Sequence, residues 1–304
     1  MKRDFLCVKD FTAQEIRENL ALAIEVKAKT KEGRCPNVLN GGVGALIFHK
    51  ASLRTRCSFE VGFRQLGGSA IYITDKEIEL GKRESIYDVA KVMSRYFAAI
   101  CIRTFSHDQV VELAKHAEVP VVNMLTDLLH PCQVMGDMQT ILEHRKTIDN
   151  LSVAYLGDGN NLTNTWMRMA QRIPMDLRIG TSPDTLPDAK ILEETKRCGL
   201  SQVSVHHDAA AAVKDADVIY TDVWASMGQK DKAEEKAKAL KAFQINSALV
   251  AKAKKDVLVM HCLPAERGRE ITDEMMDGPN SVVFDEAENR LHAQKAVLIK
   301  LLGK

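Results

Sequence analysis

The sequence lacks several features that mark other classes of protein. No apolar run among its 304 residues approaches the length of a membrane span, and residues 1–12 contain no apolar core of a secretory signal. Lysine and arginine (42) nearly balance aspartate and glutamate (41), so the basic excess typical of nucleic-acid-binding proteins is missing. We therefore expect neither a membrane partner nor a nucleic-acid partner.

A disulfide or zinc-site pattern is also missing. The seven cysteines are odd in number, widely spaced and never arranged as CxxC, which is typical of reduced thiols in the cytoplasm. They are Cys7, Cys35, Cys57, Cys101, Cys132, Cys198 and Cys262. We accordingly expect a cytoplasmic protein without a metal site.

The common glycine-rich nucleotide motifs are incomplete or missing. No GxxxxGK[ST] motif occurs, and the segment GDGNNL (157–162) begins like GxGxxG but ends in leucine. We predict a tight strand-to-helix turn there rather than a dinucleotide site. This weighs against a dehydrogenase, whereas a non-catalytic binding protein stays open at this point.

Short apolar segments alternate with longer helix-like stretches, which predicts an α/β fold with parallel sheets. The strand candidates are 43–48, 69–73, 98–103, 120–124, 152–156, 176–180, 203–207, 216–220, 256–260 and 281–284. Their number favours two doubly wound domains of about five strands each, with the sheets flanked by helices. One larger doubly wound sheet is the alternative.

Helix patterns suggest how the domains are joined. The segment 133–150 resembles one long helix before a new strand, so we predict domains 1–142 and 143–285, joined by helices. A final helix from about residue 286 to 304 is expected to pack back on the first domain. Near the N-terminus, Thr12 is a candidate cap for a helix whose residues Ile16, Leu20 and Ile24 share one face.

Polar residues directly follow six of the predicted strands. The segments are HKASLRTR (49–56), Arg103, LTDLLHPCQ (125–133), GDGNN (157–161), TDVWASMGQ (221–229) and HCLPAERGRE (261–270). Because ligands of parallel sheets bind beyond the carboxyl ends of the strands, we expect these residues to form one crevice for a polar small molecule.

The first of these segments indicates an anion site. Phe59, Phe63 and Leu66 recur at helical spacing, so a helix should begin near Ser52, a good N-cap. Arg54 and Arg56 add cations to a helix end that already favours anions, which suits a dianion such as phosphate. The plainer alternative is a capped helix whose arginines point to solvent.

Three further segments contain candidate polar contacts. Pro131 fits the first position of a helix, and His130 before it could either cap that helix or donate a hydrogen bond to a carbonyl oxygen. Cys262 is interpreted as a small buried residue rather than a nucleophile, so covalent catalysis is not predicted. Asp222 and Ser226 offer an acceptor pair; Trp224 and Met227 beside them should pack or line a pocket.

Six motifs occur in one order across nearly the whole chain, and together they resemble the ornithine carbamoyltransferases, members of the aspartate/ornithine carbamoyltransferase family. The motifs are SLRTR (52–56), HPCQ (130–133), GDGNN (157–161), DVWASMG (222–228), HCLP (261–264) and DEAENRLHAQKAV (285–297). Each motif is modest alone, whereas the set is highly specific.

The resemblance implies transfer of a carbamoyl group from carbamoyl phosphate to the side-chain amine of L-ornithine, giving L-citrulline and phosphate. It implies direct amine attack through a tetrahedral intermediate, with no metal or organic cofactor. The first domain would bind carbamoyl phosphate and the second ornithine. The family's usual assembly is a homotrimer or a multiple of trimers.

The same resemblance assigns roles to individual residues. Those implied for carbamoyl phosphate are Ser52, Leu53, Arg54, Thr55, Arg103, His130, Gln133, Leu263 (through its carbonyl) and Arg290. Those implied for ornithine are Asn161, Asp222, Ser226 and Met227. Those implied at the reacting centre are Arg103, His130 and Cys262.

Two positions depart from the family's pattern, and other amine substrates stay open. Leu53 stands where threonine is frequent, which is tolerable if only its backbone N–H binds. Glu79 stands where many relatives have Gln or His, and a carboxylate would repel a nearby phosphate; it is not assigned to the site. Aspartate, putrescine and an acylated ornithine are the alternative acceptors.

Overall fold

The computed structural model describes residues 2–225 and 233–303 of the chain. The chain divides into two compact units, which we call unit 1 (Met1–Gln139 with Glu288–Lys304) and unit 2 (Thr140–Ala287). The chain passes from unit 1 to unit 2 between residues 139 and 140, whereas the sequence predicted a boundary between residues 142 and 143.

The sheet of unit 1 is fully parallel. Its strands are β1 (Val43–Phe48), β2 (Ser69–Thr74), β3 (Ala99–Arg103) and β4 (Val121–Leu125), in the order β2-β1-β3-β4. About five strands were expected, whereas four occur among the described residues. Phe5 adds a single bridge at the β4 edge, where its N–H donates to the Val121 carbonyl at 2.9 Å. Strands β3 and β4 are buried along their whole length, as their continuous apolar sequences predict.

Helices cover the sheet of unit 1. They are α1 (Ala13–Lys31), α2 (Leu53–Gln65), α3 (Ile86–Tyr96), α4 (His107–His116) and the parts of α5 (Pro131–Arg145) and α12 (Val283–Leu302) that lie in this unit. The predicted Thr12 cap is confirmed, because Thr12 and Glu15 form a reciprocal capping box at the start of α1. Ile16 and Leu20 are fully buried, whereas Ile24 is half-buried.

Unit 2 is built around a second parallel sheet. Its strands are β5 (Leu151–Leu156), β6 (Met175–Gly180), β7 (Gln202–His206), β8 (Val218–Thr221) and β9 (Leu258–His261), in the order β7-β6-β5-β8-β9. Its further helices are α6 (Asn161–Ala170), α7 (Ala189–Cys198), α8 (Ala209–Val213), α9 (Ala233–Leu240), α10 (Ser247–Val250) and α11 (Asp273–Met276). The α/β class with two helix-flanked parallel sheets is thus confirmed, and the alternative of one larger sheet is wrong.

Several strand ends differ by one or two residues from the sequence predictions, and two predicted elements differ more. Residues 281–284 are not a strand: Ser281 forms only an isolated bridge to Val259, and α12 begins at Val283. Asp285 and Glu286 in the first turn favour this helix start because carboxylates interact well with a helix N-terminus. The predicted helix over 133–150 spans Pro131–Arg145 instead.

None of the helices within 2–225 and 233–303 is both long enough and apolar enough to cross a membrane.

Candidate active site

The loop after β1 in unit 1 forms a capped helix start. Ser52 is the N-cap of α2: its Oγ accepts from the Thr55 N–H at 3.3 Å and donates to Thr55 Oγ1 at 3.1 Å. The cap predicted from the sequence is therefore confirmed. The first-turn N–H groups of α2 give this end a partial positive charge that favours an anion.

Two buried arginines meet at the same threonine. Arg103, the last residue of β3, donates from Nη1 to Thr55 Oγ1 at 3.4 Å, and Arg290 on α12 donates from Nη2 to that oxygen at 3.2 Å. The two residues are 6% and 5% exposed. Two buried guanidinium groups that donate to one hydroxyl oxygen concentrate positive charge there, and this arrangement favours a bound anion.

Helix α5 supplies the side chains that orient Arg290. Gln133 donates from Nε2 to Asp137 Oδ1 at 2.7 Å, which leaves its Oε1 to accept from Arg290 Nη1 at 2.5 Å. One turn away, a Cβ on Gly136 would lie 3.3 Å from the Arg290 Cα. A glycine at this position therefore lets α12 pass close to α5 and brings Arg290 next to Gln133.

His130 immediately precedes α5 and is 7% exposed. Burial, together with the positive charges of Arg290 and Arg103, holds the pKa of His130 well below the usual histidine value. At neutral pH the imidazole is therefore neutral, and one ring nitrogen still carries a proton that can be donated. Such a ring can polarise a carbonyl oxygen without adding a further cation.

The arginines of the SLRTR motif have different environments. Arg56 is exposed, pairs with Glu60 at 2.9 Å and lies 4.0 Å over the Tyr72 ring. Arg56 thus has partners other than an anion, whereas Arg54 is half-buried and stays a candidate for the anion site. Leu53 is 74% exposed, so its side chain contributes little packing.

The GDGNN segment of unit 2 requires both of its glycines. Gly157 has φ of 135°, and a Cβ on Gly159 would lie 2.3 Å from the backbone of Leu186. A side chain at Gly157 would be strained, and one at Gly159 would collide with the neighbouring loop. Residues 157–159 thus form the tight strand-to-helix turn that the sequence predicted, and we call them the GDG turn.

Asn160 connects this turn to Asp222. Its Oδ1 caps α6 by accepting from the N–H groups of Leu162 and Thr163, and its Nδ2 donates to Asp222 Oδ2 at 2.9 Å. Asn161, the residue singled out from the sequence, is the first residue of α6. Asn160 was missed, although an asparagine just before a helix is a recognisable N-cap signal.

The Asp222 carboxylate and the Cys262 thiol are in contact. Asp222 follows β8 and is 9% exposed, and its Oδ1 accepts from the Cys262 Sγ at 2.9 Å and from the Val223 N–H at 2.8 Å. The thiol thus acts as a hydrogen-bond donor to this carboxylate. The carboxylate offers negative charge for an ammonium group.

A fully buried pair supports the HCLP loop after β9. His261 Nδ1 accepts from the Leu263 N–H at 2.9 Å, so Nε2 carries the proton and donates to Glu270 Oε1 at 3.0 Å. Both side chains have no exposed surface. Both residues lie in the polar segment 261–270, but their pairing was not predicted because it depends on a loop conformation.

Two predicted residues, Ser226 and Met227, lie outside the described residues. Trp224, just before them, is 5% exposed, and its indole lies against Gly157. This agrees with the packing role that the sequence suggested for Trp224.

Comparison with known proteins gives the same family over both units. Residues 3–143 match the aspartate/ornithine carbamoyltransferase carbamoyl-P binding domain, and residues 149–301 match the Asp/Orn binding domain of that family. The ornithine carbamoyltransferase of Carboxydothermus hydrogenoformans is 49% identical, covering 99% of this chain and 98% of its own. That of Syntrophus aciditrophicus is 46% identical, covering 98% and 99%.

Solved structures agree with these sequence matches. The ornithine carbamoyltransferase from Pyrococcus furiosus has a TM-score of 0.95 at 47% identity, covering 99% of this chain and 97% of that chain. The one from Thermus thermophilus has a TM-score of 0.89 at 37% identity, covering 99% of each chain. With its fold, its two domain matches and these relatives in agreement, the chain belongs to the aspartate/ornithine carbamoyltransferase family.

Proposed function

We propose that this protein transfers the carbamoyl group of carbamoyl phosphate to the side-chain amine of L-ornithine, which gives L-citrulline and phosphate. The convergence of Arg103 and Arg290 on Thr55, at the capped start of α2, is the observation that carries the proposal. The names of the relatives at 46% and 49% identity support ornithine as the amine.

Unit 1 is the proposed carbamoyl phosphate domain. The phosphate would lie at the start of α2, held by Ser52, Arg54, Thr55 and the backbone N–H of Leu53. Its carbamoyl end would be bound by the remaining proposed contacts of this unit, which are Arg103, His130, Gln133 and Arg290. The family resemblance adds the carbonyl of Leu263, which belongs to unit 2. Buried guanidinium groups and a neutral imidazole would stabilise the charge that develops on the carbamoyl oxygen and phosphate.

Unit 2 is the proposed ornithine domain. Asp222 would accept hydrogen bonds from the α-ammonium group, with Cys262 beside the reacting amine. The other proposed contacts are Asn161, Ser226 and Met227. The Asp222 carboxylate, already fixed by Asn160, Cys262 and its own backbone neighbour, is an oriented acceptor for a cation.

The chemistry follows from the two charge environments. The free side-chain amine of ornithine should resemble lysine, with a pKa of about 10.4, and it must lose a proton before it can attack. Nearby guanidinium groups and low polarity favour the neutral amine. The amine nitrogen then bonds to the carbamoyl carbon, and the tetrahedral intermediate breaks its bond to the phosphate oxygen. Phosphate leaves with the electron pair of that bond and takes up the proton that the attacking nitrogen must lose.

Aspartate, putrescine and an acylated ornithine are the other acceptors to be separated. Aspartate carries a second carboxylate that would need extra cationic groups in unit 2, whereas the contacts observed around Asp222 come from an amide, a thiol and a backbone N–H. Putrescine lacks the α-carboxylate, and an acylated ornithine lacks the α-ammonium. The proposed Asp222 contact therefore favours free ornithine.

A colorimetric assay for carbamoylated products tests the proposal directly. The purified protein is incubated with carbamoyl phosphate and, separately, with ornithine, aspartate, putrescine and an acylated ornithine. We expect a product with ornithine that depends on enzyme concentration and no comparable rate with the other three amines. Turnover with aspartate alone, or with none of the amines, would refute the assignment.

We further propose a homotrimer, or a multiple of trimers, that works in the cytoplasm in arginine biosynthesis. The family resemblance supports the trimer, and seven free thiols support a reducing compartment. A structural relative described as anabolic, from Campylobacter jejuni at 34% identity, supports the biosynthetic direction. Light scattering after size-exclusion chromatography would test the trimer, because a mass near one chain would contradict it.

A further inference from the structure

One ion pair in unit 2 lies beside the proposed ornithine contacts and belongs to neither substrate set. Lys236 Nζ on α9 lies 2.6 Å from Asp158 Oδ2, in the middle of the GDG turn. The two side chains are 15% and 8% exposed. Because the pair is shielded from water, it is screened little by salt and differs from an ordinary surface ion pair.

Hydrogen bonds connect Asp158 to Asp222 through a single residue. The Asp158 carbonyl accepts from the Asn160 N–H at 2.8 Å and from Thr163 Oγ1 at 2.8 Å. Asn160 in turn donates to Asp222 Oδ2 at 2.9 Å. The backbone position of Asp158 therefore sets where the Asn160 amide lies, and that amide orients the carboxylate proposed to receive the α-ammonium.

The chain also contacts the GDG turn on both sides of the segment that contains Ser226 and Met227. Before that segment, the Trp224 indole lies against Gly157; after it, Lys236 pairs with Asp158. Lys236 thus fixes the position of α9, the helix with which the described chain resumes at Ala233. Both sides of the segment are held by the same turn.

The charges around Asp158 explain why a cation is needed there. Burial raises the pKa of Asp158, the Lys236 ammonium opposes that rise, and the Asp222 carboxylate adds to it. Two carboxylates in a poorly hydrated region repel each other unless a cation compensates for one of them. Without Lys236, Asp158 would have to take up a proton or move, and the turn would move with it.

We propose that Lys236 and Asp158 are positioning residues for the amine substrate: together they hold the GDG turn in the conformation that places Asn160 against Asp222. This inference rests on the proposed function. Neither residue touches the reacting atoms, so the pair acts on the affinity for the amine. Carbamoyl phosphate binding in unit 1 does not depend on it.

The decisive variant is Lys236→Met, which removes the charge and keeps much of the side-chain volume. We expect the KM for ornithine to rise roughly tenfold, the change that corresponds to one good hydrogen bond of about 1.4 kcal/mol. The inhibition constant of inorganic phosphate, a probe of unit 1, should stay within about twofold. Lys236→Arg keeps the charge and should restore most of the affinity.

A matched control lies on the same helix. Lys238 is exposed on α9, so Lys238→Met makes the same chemical change without removing the pair and should leave both constants unaltered. Asp158→Asn should reproduce the ornithine effect of Lys236→Met. Because the two residues act as one unit, the effects of the two changes should not add. The KM for ornithine of the double variant should be no higher than that of the more impaired single variant.

The outcomes separate this inference from the proposed function. If wild-type protein does not carbamoylate ornithine, the proposed function is wrong, and the same variants are measured with the amine it does use. If wild type is active but Lys236→Met leaves the amine KM unaltered, the positioning role is refuted. Equal changes in the amine KM and the phosphate constant, or additive single effects, would also refute it.

Discussion

The two units carry groups of opposite charge at the same place, beyond the carboxyl ends of the strands of a parallel sheet. In unit 1, Arg103 and Arg290 surround a neutral hydroxyl group next to a helix N-terminus. In unit 2, Asp222 is surrounded by an amide, a thiol and a backbone N–H. One arrangement concentrates positive charge and the other presents an oriented carboxylate. The shared α/β architecture therefore does not determine the ligand; the charge at the strand ends does.

The largest expected effect comes from removing a cation from the proposed phosphate site of unit 1. Replacing Arg54 with alanine removes a proposed phosphate contact at the start of α2, and we expect carbamoyl phosphate binding to weaken about 100-fold or more. Arg56→Ala is the matched control, because Arg56 pairs with Glu60 and lies over Tyr72. Binding can be followed through the inhibition constant of inorganic phosphate, with circular dichroism as a check on folding. Equal losses in both variants would contradict the assignment of Arg54.

The second prediction concerns the loss of the Asp222 negative charge in unit 2. Asp222→Asn keeps the shape of the side chain but removes its charge, so the KM for ornithine should rise roughly 10- to 100-fold. The phosphate constant of unit 1 should remain within about twofold of wild type, since no cation of that unit is altered. If the variant lost phosphate affinity as strongly as ornithine affinity, the assignment of phosphate to unit 1 and ornithine to unit 2 would be contradicted.

The third prediction concerns a pH effect within unit 1. His130 has a folded-state pKa well below its ordinary value of about 6.5 because of burial and two arginines. Below about pH 6.5, His130 is protonated in the unfolded chain but stays neutral in the folded chain. The free energy of unfolding therefore falls as the pH is lowered towards the folded-state pKa. The slope from this residue is at most about 1.4 kcal/mol per pH unit.

Urea unfolding at pH 7.5 and pH 5.5 measures this slope. His130→Asn removes the titrating ring and should show a smaller loss of stability on acidification than wild type. Because burial also lowers the pKa of His49, some acid sensitivity should remain in the variant. An identical loss in both proteins would show that His130 takes up its proton in the folded state as readily as in the unfolded one.

Much of this comparison could be predicted from sequence, for physical reasons. Strands covered on both faces appear as continuous apolar runs, and side chains just after such runs lie at the ligand-binding edge of their sheet. Ser52 and Thr12 were recognisable as helix caps because their chemistry is local. Within unit 1, Arg103 and His130 were named as site candidates because they follow predicted strands.

Contacts between distant residues could not be predicted in this way. Lys236 and Asp158 are 78 residues apart, and no local pattern links them. The different exposure of Arg54 and Arg56 was predictable in principle, since residues two apart on a helix are separated by about 200° around its axis. Asn161 was named because the family resemblance implies it, whereas the contact of Asn160 with Asp222 joins residues 62 apart and has no local pattern.

The smallest expected effect compares buried and exposed thiols. Burial raises the pKa of Cys132 to about 12, and its Sγ donates to the Asn123 carbonyl at 3.3 Å. Cys57 and Cys198 are exposed. Since the thiolate is the reactive form, iodoacetamide at pH 8 should label the two exposed cysteines and leave Cys132 unmodified in the native protein. Mass spectrometry of tryptic peptides, with urea-unfolded protein as the control, measures this. Rapid native labelling of Cys132 would mean that the start of α5 opens readily, and the rigid placement of His130 and Gln133 would then be lost.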